Sequence, residues 1–120
     1  MNKREEGNRQ EERVCAFLKE QGYQVLEQNF YSRFGEIDII AEKDSTLVFV
    51  EVKYRQSPKN GLPEEAVDKR KRLRIIRTAD YYRMRKRVPE DRPCRFDVIC
   101  LTPKRITHHV NAFDYGGDLW

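Results

Sequence analysis

Ile37-Asp38-Ile39-Ile40-Ala41 and Leu47-Val48-Phe49-Val50-Glu51-Val52-Lys53 read as two β-strands joined by the turn signal Lys43-Asp44-Ser45. A loop centred on Asp44 and Ser45 pairs residues whose numbers sum to 89. Asp38 then faces Glu51, and Glu36 faces Lys53. Directly opposite residues of an antiparallel pair share one face, with Cβ atoms about 4.5–5.5 Å apart. Two carboxylates and an ammonium therefore converge at the open end of the hairpin. The other face checks the register, because Ile37, Ile39 and Ala41 fall opposite Val52, Val50 and Val48. A slip of one residue would set Asp38 against a valine.

That patch has the chemistry a divalent metal and a phosphodiester need. Magnesium binds through one or two carboxylates plus water and substrate phosphate. Asp38 and Glu51 supply the pair, and the Val52 carbonyl offers a backbone oxygen. Lys53 shares the Glu51 face of the strand and is placed to steer water or stabilise the transition state. The competing reading is a salt-bridged cluster of Lys53, Glu36 and Glu51 with no metal. Glu36 is secondary, as an outer ligand or a partner of Lys53 or Arg33.

At 120 residues the chain reads as one domain. The hydrophobic share of 38% against 37% charged implies a compact core under a heavily charged surface. Met1 to Glu6 contains no apolar stretch of the kind a secretory signal requires, and the longest apolar run is a strand's length. A cytoplasmic protein with no membrane span is expected. Cys15, Cys94 and Cys100 form no CxxC pair, which argues for reduced thiols over disulfides or zinc. Residues 69–87 hold ten of the 24 basic residues and one acid, Asp80, so this segment carries +9 and the rest −5. Such a block is a footprint for a polyanion, or else a solvated helix face. Lys69, Lys71, Arg74 and Arg77 are its candidate phosphate contacts, and Arg55, just past the second hairpin strand, is either a further one or an exposed surface residue.

A first helix is expected from near Asn8 to Gln21, stopped by Gly22. Glu11 sits at the end of its apolar stripe. It either reaches the carboxylate patch or closes a capping box with Asn8, and helix physics alone favours the cap. A strand at 23–30 precedes the hairpin, and residues 57–61 read as a loop near the active face. A second helix starts at Pro63, carries Leu73, Ile76, Ala79 and Tyr82 on one side, and ends before Pro89. Strands follow at 94–101 and 106–110, and the tail 111–120 finds no place. Asp97 reads as an anchor for the basic segment. His108 and His109 read as strand-surface residues. The order α-β-β-β-α-β-β implies one α/β domain, a mixed sheet flanked by helices.

Gly35-Glu36-Ile37-Asp38-Ile39-Ile40 and Leu47 to Lys53 resemble the YraN family of the PD-(D/E)xK nuclease superfamily. Gly7, Glu11, Gly22-Tyr23 and Asn29 extend the match, as do Gly61, Pro63-Glu64-Glu65-Ala66-Val67, Lys71, Arg95-Phe96-Asp97-Val98 and Asn111-Ala112-Phe113. The resemblance implies a restriction endonuclease-like core, with Asp38 and Glu51 as Mg²⁺ ligands (Mn²⁺ substituting) and Lys53 as catalytic lysine. It makes Glu11 the helix acid that completes the site, and Lys71 a phosphate contact. It implies an endonuclease acting on DNA in preference to RNA, on branched or single-stranded substrates. The alternative is a catalytically silent nucleic-acid-binding module. Likeness to junction resolvases also implies a homodimer, with Phe113 and Trp120 available to an interface. Two departures are visible: Ile37 stands where the superfamily's proline would, and Gln10 stands where the family often has glycine.

Overall fold

The computed structural model describes residues 3–56 and 67–119. The elements are α1 (Lys3–Glu20), β1 (Gln24–Ser32), β2 (Gly35–Lys43), β3 (Thr46–Tyr54), α2 (Lys69–Arg85), β4 (Cys94–Leu101) and β5 (Ile106–Phe113). This is the expected α-β-β-β-α-β-β order. The five strands form one sheet in sequence order, antiparallel except for the parallel pair β3 and β4. Parallel neighbours need a long crossover, and α2 lies within it.

The helices cover opposite faces. On the α1 side, Val14 and Leu18 pack with Ile39, Ala41, Val48, Val50, Ile99 and Leu101. On the α2 side, Ile75, Ile76, Ala79 and Tyr82 pack with Ile40, Leu47, Phe49, Phe96 and Phe113. The alternation along β3 follows from its buried stretch Leu47–Glu51, whose successive side chains point to opposite faces.

α1 ends as the sequence indicates. Gly22 takes φ +91°, the Gly22 N–H donates to the Lys19 carbonyl, and the Tyr23 N–H donates to the Leu18 carbonyl. That is a Schellman closure, with Tyr23 and Leu18 in the same core. The start differs. α1 is already helical at Lys3, so Asn8 lies in its interior and no capping box with Glu11 forms. The β2–β3 turn places Asp44 and Ser45 at φ +50° and +67°, the left-handed pair a two-residue hairpin loop uses. The register sums to 89 as expected, with Ile39 opposite Val50 and Ala41 opposite Val48. The ladder stops at Ile39 and Val50. Beyond it Ile37 joins the α2-side core rather than the α1-side set.

Three further expectations change. α2 begins at Lys69, where the Asp68 carboxylate accepts the Lys71 N–H at 2.8 Å, so Pro63 is not its first residue. Residues 57–66, including Gly61 and Pro63 to Ala66, lie outside the described residues, as does Trp120. Leu73 is 39% exposed, while Arg72 of the basic segment is buried. The Arg72 guanidinium donates to the Gly117 carbonyl at 2.7 Å and to the Val67 carbonyl at 2.6 Å. Finally, 111–113 continue β5, with Asn111 at φ +56°. Phe113 stacks on Phe96 with ring centroids 5.0 Å apart, so it is core and not an interface residue.

Arg72→Met keeps the apolar stem but strips two buried carbonyls of their donor. Urea unfolding should show a loss of about 2–4 kcal/mol. A change below about 0.5 kcal/mol, typical of surface substitutions, would place Arg72 with the solvated charges instead.

Candidate active site

The site lies where β2 and β3 part. β3 continues beside β4 as far as the Tyr54–Leu101 pair, while β2 has left the ladder. The N–H of Val52 is therefore without a strand partner. The Asp38 carboxylate accepts it, Oδ2 to N 2.8 Å. In an extended chain a residue's N–H and C=O point to the same side. The Val52 carbonyl thus faces the same fork as Asp38.

Two cavities meet at Asp38. One, of about 260 Å³, is lined by Glu36, Asp38, Glu51, Lys71 and Arg74 on the α2 side. The other, of about 160 Å³, is lined by Gln10, Glu11, Asp38 and Val52 on the α1 side. Glu51, 4% exposed, meets two lysines. Lys71 Nζ lies 2.7 Å from Glu51 Oε1, and Lys53 Nζ lies 3.9 Å from the same oxygen. Lys71, placed by the first turn of α2, is the nearer counter-charge. Sequence reading made it a phosphate contact and did not bring it to Glu51.

Asn29 is the residue that sequence reading missed as part of the site. Gln28 pairs with Ile39 and Phe30 with Ile37, which sets Asn29 opposite Asp38. With oxygen and nitrogen assigned from the hydrogen-bond network, the Asn29 amide donates to Glu36 Oε1 at 3.0 Å and to Glu11 Oε1 at 2.8 Å. Its φ of +53° is one that asparagine tolerates better than most residues. Glu36 is thus held by Asn29, not by Lys53. Pairing arithmetic centred on Arg33 and Phe34 would have found Asn29. The turn chemistry there is weak, with Gly35 at its edge and not its centre.

Four carboxylates therefore crowd one fork: Glu11, Glu36, Asp38 and Glu51. Burial, then the Glu51 charge, push the Asp38 carboxyl up to about 8, against the lowering pull of the Val52 N–H. Burial and Glu36 push Glu11 up, and Asn29 opposes them. Lys53 is pulled down by burial and by the adjacent Lys71, while Glu51 opposes the shift. Burial also pulls on Lys71, but its hydrogen bond to Glu51 and the Glu51 charge outweigh it and raise the group.

Among the described residues no three acid, histidine or cysteine side chains converge tightly enough to hold an ion by themselves. The fit to a hard divalent cation rests on the donor chemistry: two carboxylates at one fork, a carbonyl on the same strand edge, and an acid that burial and neighbouring carboxylates push toward its protonated form.

The remaining basic candidates separate. Lys69 pairs with Asp118 at 3.1 Å. Arg74 borders the larger of the two site cavities, Arg77 stands one turn further along α2, and Arg55 follows β3. Asp97 does not anchor the basic segment. It is fully buried on the α1 side, where it accepts from Arg95 Nε at 3.1 Å and from the Asn111 N–H at 2.9 Å. His108 Nε2 lies 2.7 Å from its other oxygen. His108 is therefore a partner of Asp97 and not a surface residue, because β5 turns it under Phe17 and Tyr23.

Two outcomes separate these aspartates. The folded pKa of Asp38, about 8, lies above its ordinary 3.8, so the folded protein binds this proton more tightly. Stability from this group is complete below the ordinary value and is lost as pH rises toward 8. In metal-free buffer, Asp38→Asn should raise the melting temperature at pH 8.5 and raise it less at pH 5. An equal gain at both would contradict the crowding. Asp97→Ala instead leaves Arg95 and His108 without their acid and should cost about 3–5 kcal/mol in urea unfolding.

The comparisons with known proteins agree on one family. The model of "Uncharacterised protein family UPF0102" matches residues 10–101. A UPF0102 protein of Lachnoclostridium phytofermentans is 49% identical over 117 residues, covering 98% of this chain and 99% of the relative. One from Persephonella marina is 44% identical over 90% of this chain and 92% of its own. Another, from Clostridioides difficile, is 43% identical over 94% of this chain and 100% of its own. The chain belongs to the UPF0102 family, the YraN-like proteins.

Proposed function

We propose that this protein is a divalent-metal-dependent endonuclease with a restriction endonuclease-like core of the PD-(D/E)xK type. The observation that carries the reading is the fork itself: Asp38, pushed up to about 8, and buried Glu51 share one cavity with Lys71, while Lys53 approaches Glu51. The parallel β3–β4 pair, with α2 between them in sequence, supports the fold assignment. Asp38, Glu51 and the Val52 carbonyl would hold Mg²⁺ or Mn²⁺, with Glu11 completing the site from α1 and Glu36 as an outer member. When bound, the ion supplies charge stabilisation at the phosphate and an acidified water.

The chain's own groups do the rest. Lys53, its pKa lowered, is suited to exchange a proton with the attacking water or to hydrogen-bond the phosphate. Lys71, paired with Glu51 but partly exposed, would pass to a phosphate oxygen. Arg55, Arg74 and Arg77 would grip the backbone, and Lys69 would join them by leaving Asp118. DNA is the favoured substrate, by resemblance to junction resolvases. A cytoplasmic location agrees with three free thiols, and a homodimer belongs to the same reading. Among the described residues no helix is long and apolar enough to cross a membrane.

One observation favours the second reading, a silent binding module: Lys71 gives Glu51 a counter-charge from the chain itself at 2.7 Å. Against it, a groove built only to bind phosphate gains nothing from four carboxylates, which repel phosphate.

Cleavage of duplex, flap, four-way junction, single-stranded DNA and RNA should be measured with Mg²⁺ and with Mn²⁺. At least one substrate should be cut, and Asp38→Ala and Lys53→Ala should each lower the rate at least about a hundredfold. Persistent cleavage in both variants would sink the assignment. Calorimetry showing no Mg²⁺ or Mn²⁺ binding to the folded protein would favour the binder.

A further inference from the structure

Beside the fork lies a larger cavity, of about 670 Å³, that the catalytic reading leaves unused. Arg33 and Phe34, the tip of the β1–β2 hairpin, form one wall, and Arg77, Asp80, Tyr81 and Met84 of α2 form the other. Its volume falls in the range of about 300–1,000 Å³ of small-molecule sites, far beyond what an ion needs. The floor is apolar and aromatic. Met84 is 66% exposed and Tyr81 half-buried, its ring packed on Phe30 at 6.1 Å. The Tyr81 hydroxyl accepts from Arg85 Nη1 at 3.1 Å and the Arg85 guanidinium lies 5.7 Å from the ring centroid, which together fix the ring in the cavity wall. The Arg33 guanidinium sits 4.9 Å from the centroid of Phe34.

Charge and position select the occupant. Arg33, Arg74 and Arg77 form no ion pair among the described residues. Lys71, Arg74, Arg77, Tyr81 and Met84 follow at helical spacing, so one stripe of α2 runs from the carboxylates to the aromatic floor. Phe34 is the chain neighbour of Gly35, which lines the fork cavity. Guanidinium groups with no ion pair among the described residues, set beside two aromatic rings, suit a strand whose phosphates follow the arginines and whose base joins the ring and guanidinium stack. Asp80 keeps phosphate off the ring side and can accept from an exocyclic amino group.

We infer that Phe34, Tyr81 and Met84 form a base-stacking subsite for one unpaired nucleotide, flanked by Arg33 and Arg77. This rests on the nucleic-acid part of the proposed function, and it makes the substrate one with an exposed base near the cleaved bond. Ten helical residues separate Lys71 from Tyr81, about 15 Å at about 1.5 Å per residue. The stacked base thus lies roughly two to four nucleotides from the phosphate at the fork.

The test is fluorescence anisotropy in EDTA with a labelled twelve-nucleotide single strand and the same backbone made abasic. The wild type should bind the base-bearing strand about fivefold or more tighter than the abasic one. Phe34→Leu and Tyr81→Leu should erase that preference while the circular dichroism spectrum stays that of the folded protein, and Tyr81→Phe should retain it. Arg77→Ala should weaken both strands alike. Cleavage with Mg²⁺ is measured in parallel. Equal binding of both strands overturns the subsite, even where cleavage upholds the nuclease reading. A base preference lost in the leucine variants upholds the subsite, even where no strand is cut. Failure to bind either strand overturns it and leaves the groove to another class of partner.

Discussion

A single hydrogen bond, from the Val52 N–H to the Asp38 carboxylate, marks the place on which the rest of the site depends. Up to Ile39 and Val50 the β2–β3 ladder satisfies the backbone of both strands. Past that point β3 stays with β4, β2 turns away, and the backbone of β3 needs another partner. A side chain meets that need, at a cost. The aspartate that substitutes for a strand must be half-buried, and burial makes its charge expensive. Everything notable about the site follows from this fork. It opens cavities on both sides of Asp38, lets Glu11 approach from α1 and Lys71 from α2, and turns the Val52 carbonyl toward the same space.

The fork also explains the lysines. Neither is a surface ion pair of the kind worth little. Glu51 is 4% exposed, so its charge needs a nearby cation, and Lys71 takes that role at 2.7 Å. Lys53 is then second in line at 3.9 Å, pulled down by burial and by its neighbour. Two ammonium groups competing for one carboxylate hold each other in reserve. Any cation that replaced Lys71 at Glu51 would free a flexible positive side chain at the mouth of the groove. Glu51 thus takes its counter-charge from α2 first and from its own strand second.

Much of this was legible in the sequence, for identifiable reasons. Asp44 and Ser45 fix the hairpin register as far as Ile39 and Val50, and the expected pairing of Asp38 with Glu51 is replaced by the fork that opens there. Gly22 marks the end of α1 because only a left-handed residue closes that helix so. What escaped depends on contacts across the fold. Arg72 looks like its basic neighbours, and only the approach of Gly117 and Val67 shows it to be structural. Asn29 needs the β1–β2 turn, whose residues Arg33 and Phe34 carry little turn signal. Asp68, not Pro63, starts α2 because its side chain caps the Lys71 N–H, a bond that local propensity does not rank above a proline at the first position. The tail gained a place once Asn111 took a left-handed φ and returned Phe113 to the core.

The comparison of Asp38 with Asp97 separates structure from function. They stand on β2 and β4, on either side of β3, and both are withdrawn from water. Asp97 is surrounded by donors: a guanidinium, an imidazole and a backbone amide. That is how a buried carboxylate is made tolerable. Asp38 receives one amide and is surrounded by acids. The same chain that supplied Asp97 with a full set of partners leaves Asp38 with the opposite, and Asn29 is spent on bridging Glu11 to Glu36 instead of relieving it. Selection for stability alone would remove such a cluster, since an asparagine at position 38 could keep the bond to Val52 without the charge. Asp97 is thus a resolved buried charge and Asp38 an unresolved one, and strongly perturbed carboxyls of the second kind cluster at functional sites.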